Sequence, residues 1–496
     1  MSTSNTEVII VGAGPVGLML AGELRLCGVA TVVIERLAAP TGQSRGLGFT
    51  ARAMEVFDQR GLLPLFGELE TSTAGHFGGL ALDYGVLEGC HFGARGVPQS
   101  VTEAMLAEWA SGLGADIRRG HEMAGLVTNA DSVEIEVATP SGQERLRASY
   151  LVGCDGGHST VRKLAKFDFP GTEASREMFL ADVAGCELRP RFTGERVPGG
   201  MVMAAPLGAG IDRIIVCELG ARPRQRPEGP SFAEVADAWE RLTGEDIHGG
   251  RPLWVSAFGD ATRQATEYRC GRVLLAGDAA HVHLPAGGQG LSVGVQDAMN
   301  LGWKLAAEVR GHAPSGLLDT YHSERHPVGA RVLTNTQAQG ILYLSGDDMQ
   351  PLRDIVASLI EYEDVARHLA GMVSGLDIRY DVGPGDHPLL GRRIPNQELV
   401  GESSKSSIYQ LLHQARGVVL DLADDAELRR GATKWADRVN VVTATPHAVG
   451  VGTPLEAVDA VLLRPDGYVA WVAPSAEELP DALARWFGAP SAGTGS

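Results

Sequence analysis

The first strong pattern along the chain is an unbroken apolar run, Val8 to Val11, which ends on Gly12 and gives way to helically spaced apolar residues as far as Leu26. A second apolar run over 31–34 follows and stops at Glu35. Short continuous runs split by one helix read as parallel strands buried on both faces. The same signature returns at 150–152 and 272–276, and each run stops at a small residue and an acid: Cys154-Asp155 and Gly277-Asp278. Past the second stop, Val295, Ala298, Leu301 and Leu305 recur on one face, which predicts an amphipathic helix from about Leu291. Between 176 and 267 the runs shorten and alternate, as at 201–205 and 213–217, with Gly208-x-Gly210 as a hairpin turn. That pattern predicts an antiparallel sheet and hence a second domain.

These changes of period divide the chain. A discontinuous α/β body is expected over 1–75, 98–175 and 268–395. The antiparallel sheet takes 176–267, together with the glycine-rich segment 76–97. The polar stretch 396–406 reads as a linker. Residues 407–496 then show a β-α-β pattern followed by a hairpin. The length of 496 residues agrees with about three domains.

Composition adds exclusions. Hydrophobic residues make up 44% and charged ones 21%, which is globular. A net charge of −18 without a Lys/Arg cluster argues against nucleic acid and anionic membrane as partners. The N-terminal residues carry no positive n-region, and no apolar stretch approaches the roughly 20 residues of a membrane span. The six cysteines are scattered, with no CxxC pair, and read as buried reduced thiols of a cytoplasmic protein.

The candidate chemistry starts at Gly12-x-Gly14-x-x-Gly17. The glycines permit a tight turn, close approach of a pyrophosphate, and close helix–strand contact, while the helix start offers free N–H groups. Glu35, 18 residues after Gly17, stands where an acid binds a ribose 2′-hydroxyl and disfavours a 2′-phosphate. This motif alone does not separate FAD from NAD. The second constellation, Asp278 with Pro285, Gly287, Gly288 and Gly290 before a helix, offers an acid at a strand end and N–H groups for a second polar region. One cofactor with a ribose, a pyrophosphate, a ribityl chain and a ring that becomes anionic on reduction accounts for both, and that is FAD.

The glycine turn, CDGGHSTVR at 154–162 and GDAAHVHLPAGGQG at 277–290, in this order, resemble the class A flavoprotein aromatic hydroxylases. RGLGFTARAMEVFDQRGLL, PQSVTEAMLAEWA and DHPLLGRR are similar to those of actinomycete polyketide hydroxylases, in particular the angucycline 12-hydroxylases. The resemblance implies a Rossmann-like FAD domain of the GR2 type, a substrate domain built on the antiparallel sheet, and a thioredoxin-like C-terminal domain that lacks cysteines. It assigns Gly12, Gly14, Val16 and Gly17 to the pyrophosphate, Glu35 and Arg36 to the adenosine end, and Met123 to the adenine by its backbone. Arg45 is expected beside the flavin and Gln99 near the ribityl–phosphate. Asp155 is expected between the pyrophosphate and a passing NADPH, with Arg162 at the NADPH phosphates. Asp278 is expected at the ribityl region, with Pro285, Gly288, Gln289, Gly290 and Leu291 against the ring. Where many relatives carry a Pro after the second His and Asn-Thr after the last Gly, this chain has Leu284 and Ser292-Val293, which puts local shape near the flavin in question.

The implied reaction is reduction of FAD by NADPH, addition of O2 to give a C4a-hydroperoxyflavin, and oxygen transfer to a polycyclic aromatic polyketide. Arg45 and Pro285 are the expected flavin-side catalytic residues. No base is identified: His281 and His283 are expected to satisfy backbone groups at a strand end. His76, His91, His121 and His158 lack metal-ligand spacing, and no metal is expected. Baeyer–Villiger insertion, quinone-forming oxidation and an FAD reductase that uses no O2 stay as rivals, and the protein is expected as a monomer or homodimer.

Overall fold

The computed structural model describes residues 3–44, 46–67, 72–87, 96–401, 405–446, 455–456, 458–475 and 477–491. The α/β body begins with β1 (Val8–Val11), α1 (Pro15–Leu26) and β2 (Thr31–Glu35), and continues with α2 (Gln99–Gly112), β3 (Asp116–Arg119), β4 (Tyr150–Gly153) and β5 (Val273–Leu275). These strands form one parallel sheet in the order β5-β4-β1-β2-β3, edged by the antiparallel strand Arg269–Cys270. Val8, Ile9, Ile10, Leu151, Val152, Leu274 and Leu275 are wholly buried, in a core shared with α1 and with the antiparallel strands Glu122–Thr128, Val133–Thr139 and Gly142–Ala148, whose Val133, Ile135, Val137 and Leu146 pack in the same cluster. Since β1, β2, β4 and β5 run in parallel, their carboxyl ends bring Gly12, Glu35, Asp155 and Asp278 to one edge.

α3 (Gln289–Val309) and α4 (Thr320–Leu344) follow. The sequence predicts one apolar face on α3, yet residues 292–307 are buried all round. Its polar positions Asp297, Asn300 and Lys304 are buried because other parts of the chain cover them with matching groups.

The strands Glu177–Ala184, Arg191–Val197, Gly200–Gly208, Ile211–Glu218 and Arg251–Gly259 make a wholly antiparallel five-stranded sheet. The turn 208–210 joins its third and fourth strands, and all three residues have positive φ. The glycine-rich segment differs from expectation: Ala74–Phe77 and Leu80–Asp83 pair only with each other. Phe77, Leu82 and Tyr84 bury themselves against Leu342, Ala366, Ala370 and Val373, so this hairpin leans on the helices and not on the sheet.

The polar stretch 396–406, expected as a linker, carries paired strands at its described residues. Glu398–Val400 pairs with Lys405–Ser407 and with Thr445–Pro446, and Leu399 is fully buried. The C-terminal domain carries β6 (Gly417–Asp421), β7 (Val439–Thr443), β8 (Ala460–Leu463) and β9 (Val469–Ala473) in the order β7-β6-β8-β9. β6 and β7 are parallel across a helix and β8–β9 is an antiparallel hairpin, the arrangement the β-α-β-hairpin pattern predicts.

The turn of that last hairpin enters the α/β body. Arg464, fully buried, donates to both oxygens of Glu324 on α4 at 2.6 and 2.8 Å. The backbone carbonyls of Pro465 and Asp466 accept from Arg60 and Arg52. Lys304 of α3 completes the cluster at 2.8 Å from Glu324. Burial would raise the Glu324 carboxyl, but Arg464 and Lys304 outweigh it and bring it down to about 2. Burial brings the Lys304 ammonium down to about 8.

Candidate active site

Three glycines of the turn after β1 have three separate reasons. Gly12 has φ +106°, and a Cβ there would stand 2.4 Å from the Cys154 carbonyl oxygen, so β4 lies hard against the turn. A Cβ on Gly17 would stand 2.0 Å from the Gly12 carbonyl oxygen, so this glycine seats α1 on the turn. A Cβ on Gly14 would meet nothing within 4 Å. Gly14 therefore faces open space at the start of α1, where no side chain caps the free N–H groups. That open, uncapped cradle fits a pyrophosphate.

Glu35 borders the same cradle. One carboxylate oxygen accepts from Ala13 N at 3.0 Å and the other from Leu37 N at 2.9 Å. Segment 120–123 runs alongside, since Gly120 N and His121 N donate to the carbonyls of Leu37 and Glu35. Met123 is buried, and the ladder it belongs to is irregular between Met123 and Gly125. Arg36 is exposed at the end of β2.

Val16 joins the first motif to the second. A Cβ on Gly277 would come 2.9 Å from a Val16 methyl, and one on Gly294 2.6 Å, so Val16 wedges between the turn after β5 and α3. Asp278 is exposed on that turn. Pro285 is exposed at the head of the glycine loop, and Gly287 and Gly288 follow with φ of +69° and +65°. Gln289 is the exception among the loop residues. Its side chain turns inward, donating to Ala286 O and accepting from Asn335, so only its backbone remains for a cofactor. Gln99 is at the other side of the loop: it accepts from Gly46 N at 3.2 Å, and the space above Gly46 is bounded by Leu291 and Gln99. Arg45 lies outside the described residues.

Asp155 is engaged locally. It accepts from the Ser159 hydroxyl and from Thr160 N and Val161 N at 2.6 and 3.1 Å. Ser159 in turn caps the short helix Thr160–Leu164 by accepting from Arg162 N, as its position in the sequence predicts. Arg162 departs from expectation. Its guanidinium points inward to Gly157 O and Ala279 O at 2.6 and 2.8 Å and stacks 3.7 Å over Phe169, so it ties two motif loops together.

Behind the loop lies a buried network that sequence reasoning missed. Asp297 accepts from Arg325 at 2.7 Å and from Gly277 N, and meets His281 Nε2 at 2.8 Å. Arg325 also donates to Tyr380. Burial alone would raise the Asp297 carboxyl, but Arg325 and His281 hold it below its ordinary value. His281 therefore pairs with an acid, not with the backbone, whereas His283 contacts its neighbour's carbonyl, at Leu284, as expected. Burial lowers His283. Above the loop, Met178, Met201 and Cys217 of the antiparallel sheet meet Leu284 and Leu344 in an apolar, sulfur-rich cluster. His76 of the hairpin stacks on Tyr343 beside it, and burial lowers its basicity.

The parallel sheet, the uncapped glycine cradle and the roofed loop together define a nucleotide-cofactor α/β fold with one dinucleotide-binding turn and a second, glycine-rich loop on the same edge. The model of the FAD binding domain matches residues 5–336, and that of the aromatic-ring hydroxylase C-terminal domain matches 387–490. The chain belongs to the FAD-dependent aromatic hydroxylases. It is 46% identical to a rifampicin monooxygenase of Streptomyces venezuelae over 98% of this chain and 100% of that one. It is 43% identical to the 12-dehydrotetracycline 5-monooxygenase/anhydrotetracycline 6-monooxygenase of Streptomyces rimosus over 98% and 99%. The crystal structure of CabE, an aromatic hydroxylase from angucycline biosynthesis, is 65% identical with a TM-score of 0.96, over 98% of this chain and 100% of that one. Among the described residues no helix is long and apolar enough to cross a membrane, and no cluster of His, Cys, Asp or Glu is arranged to hold a metal ion.

Proposed function

We propose that the protein is an NADPH- and O2-using monooxygenase that hydroxylates a polycyclic aromatic polyketide of the angucyclinone type. The observation that carries the reading is the joint geometry of the two motifs, an open cradle at Gly14 and a glycine loop roofed by an apolar sheet, in a chain 65% identical to an angucycline hydroxylase. The body over 1–75, 98–175 and 268–395 holds FAD, the sheet region 176–267 covers the substrate, and 407–496 is a thioredoxin-like domain whose part is packing.

Bound FAD, reduced by NADPH, supplies the electrons and the site at which O2 is activated. The chain's own residues do the rest. Gly12, Gly14 and Gly17 leave room for the pyrophosphate, and the uncapped start of α1 meets its charge. Glu35 accepts from the adenosine ribose, while Arg36 and the Met123 backbone border the adenosine. Asp278 receives the ribityl hydroxyls, and Gln99 borders the same side. The start of α3, which no side chain caps, would offer its N–H groups to an anionic part of the ring. Pro285 and Gly288–Leu291 form the wall that keeps water from the reacting oxygen. Met178, Met201 and Leu284 offer a soft apolar surface on which a flat ring system is positioned.

Aerobic turnover of candidate angucyclinones with NADPH, followed by product mass and NMR, tests the reading. One oxygen retained on a carbocyclic ring supports hydroxylation. A lactone transfers the reading to Baeyer–Villiger insertion, and stoichiometric product under argon overturns monooxygenation.

A further inference from the structure

We propose that Asn335 and Gln339 of α4 are positioning residues for the loop 285–291, which they hold through a one-way relay of side-chain amides that begins on the hairpin 74–83. The proposal rests on the reading of that loop as flavin-facing. Gly78 N donates to Gln339 Oε1 at 3.1 Å, and Gln339 Nε2 donates to Asn335 Oδ1 at 3.0 Å. Asn335 Nδ2 then donates to Gln289 Oε1 at 2.9 Å, and Gln289 Nε2 donates to the Ala286 carbonyl at 3.1 Å. The two ends are a backbone N–H and a backbone C=O, whose polarity is fixed. Only one orientation of each amide completes the chain, so the direction of all four bonds is determined.

Gln289, Asn335 and Gln339 are 2%, 3% and 0% exposed. Three buried amides in a row are costly unless each satisfies the next, and aligned amides polarise one another. The relay ends where the backbone is least constrained by its own chemistry. Ala286 precedes Gly287 and Gly288, both left-handed, and a Cβ on Gly287 would come 3.4 Å from Gln289 Nε2. With the Ala286 carbonyl fixed, the N–H groups that follow keep one aim. The other end is equally fixed, since the Gly78 carbonyl accepts from the buried Arg353 at 2.9 Å. Apolar packing of the same volume would seat α4 as well, but it would leave the loop free to rotate about its two glycines.

The test compares the full-length protein with Asn335→Leu and Gln339→Met, each close in size and unable to pass the relay on. Thr336→Val is the control, a buried α4 residue whose hydroxyl bonds only its own helix. In both relay variants the Kd for FAD rises about tenfold, within the cost of leaving a buried polar group unpaired. The visible spectrum of bound flavin shifts toward that of free FAD, and hydrogen exchange over 286–291 speeds up. Thr336→Val changes none of these. Gln339 is the sharper case, because it makes no hydrogen bond to the loop itself, although its amide nitrogen lies beside Gly287. Folded relay variants with parental FAD affinity and parental exchange over 286–291 overturn the proposal. If Asn335→Leu does not fold, Gln339→Met decides alone. A parent protein that binds no FAD sinks the underlying reading instead, and the exchange rates over 286–291 still decide the relay.

Discussion

His281 Nε2 and Asp297 Oδ2 lie 2.8 Å apart, with side chains 1% and 0% exposed, directly behind the loop that follows β5. The other Asp297 oxygen takes Arg325 Nε at 2.7 Å, so one carboxylate neutralises a guanidinium and orients an imidazole.

Removing that carboxylate leaves Arg325 buried and uncompensated. Asp297→Asn is expected to lose about 3–5 kcal/mol of stability in urea unfolding at pH 7, the cost of breaking one side of a buried pair. The pH dependence has a definite sign. The folded-state carboxyl is held below its unfolded value, so its contribution is present above pH 4 or so and is lost as pH falls below that. The parent and Asp297→Asn curves should therefore converge in acid. Parallel curves down to pH 3 would contradict this account.

Gly14 and Gly17 should separate binding from folding. Gly14→Ala adds a methyl in open space, so thermal unfolding stays near that of the parent while FAD titration weakens at least tenfold. Gly17→Ala drives a methyl into the Gly12 carbonyl and should lower the melting temperature even without cofactor. Equal effects of the two on apo-protein stability would remove the distinction.

Asp155→Ala deletes the acceptor for a hydroxyl and two backbone N–H groups at the start of the helix Thr160–Leu164. Loss of such a cap costs about 1–2 kcal/mol. Urea unfolding should register that loss. Asp155→Asn, which keeps one acceptor oxygen, should recover about half of it.

What the sequence makes legible is what is local. The turn at Gly12–Gly17 and the helix after it are set by residues within a few positions, and the cap at Ser159 by its spacing to Arg162. The relay is opaque because Gln289 and Asn335 are 46 residues apart: Gln289 reads only as part of the loop expected at the ring, and Asn335 carries no local signal. Lys304 and Asn300 mislead for the same reason: their partners include Glu324, and Asp466 for Asn300 lies 166 residues further on. Arg162 was readable as a basic residue near a cofactor motif, but its inward turn depends on the Ala279 carbonyl, 117 residues away.

Arg464→Met should destabilise the whole chain by about 3 kcal/mol, not the C-terminal domain alone, because it removes the bidentate guanidinium and leaves Glu324 in the body with Lys304 and Asn300 only. The Glu324 carboxyl, at about 2 in the folded state, contributes stability that is present above its unfolded value and disappears as pH falls from about 4.5 toward 2. Calorimetry that resolves two independent transitions, with only one moved by Arg464→Met, would count against a shared core.

The insertion of 464–467 also sets an order of events in time. During synthesis α3 and α4 leave the ribosome some 140 residues before Arg464 does. Until then Glu324 has only Lys304 and Asn300 of α3 as partners, and the cluster stays incomplete until the last hairpin docks. Residues 464–467 are therefore the last part of the shared polar core to arrive. A chain cut before Arg464 would lack not a tail but one wall of the body's own polar core.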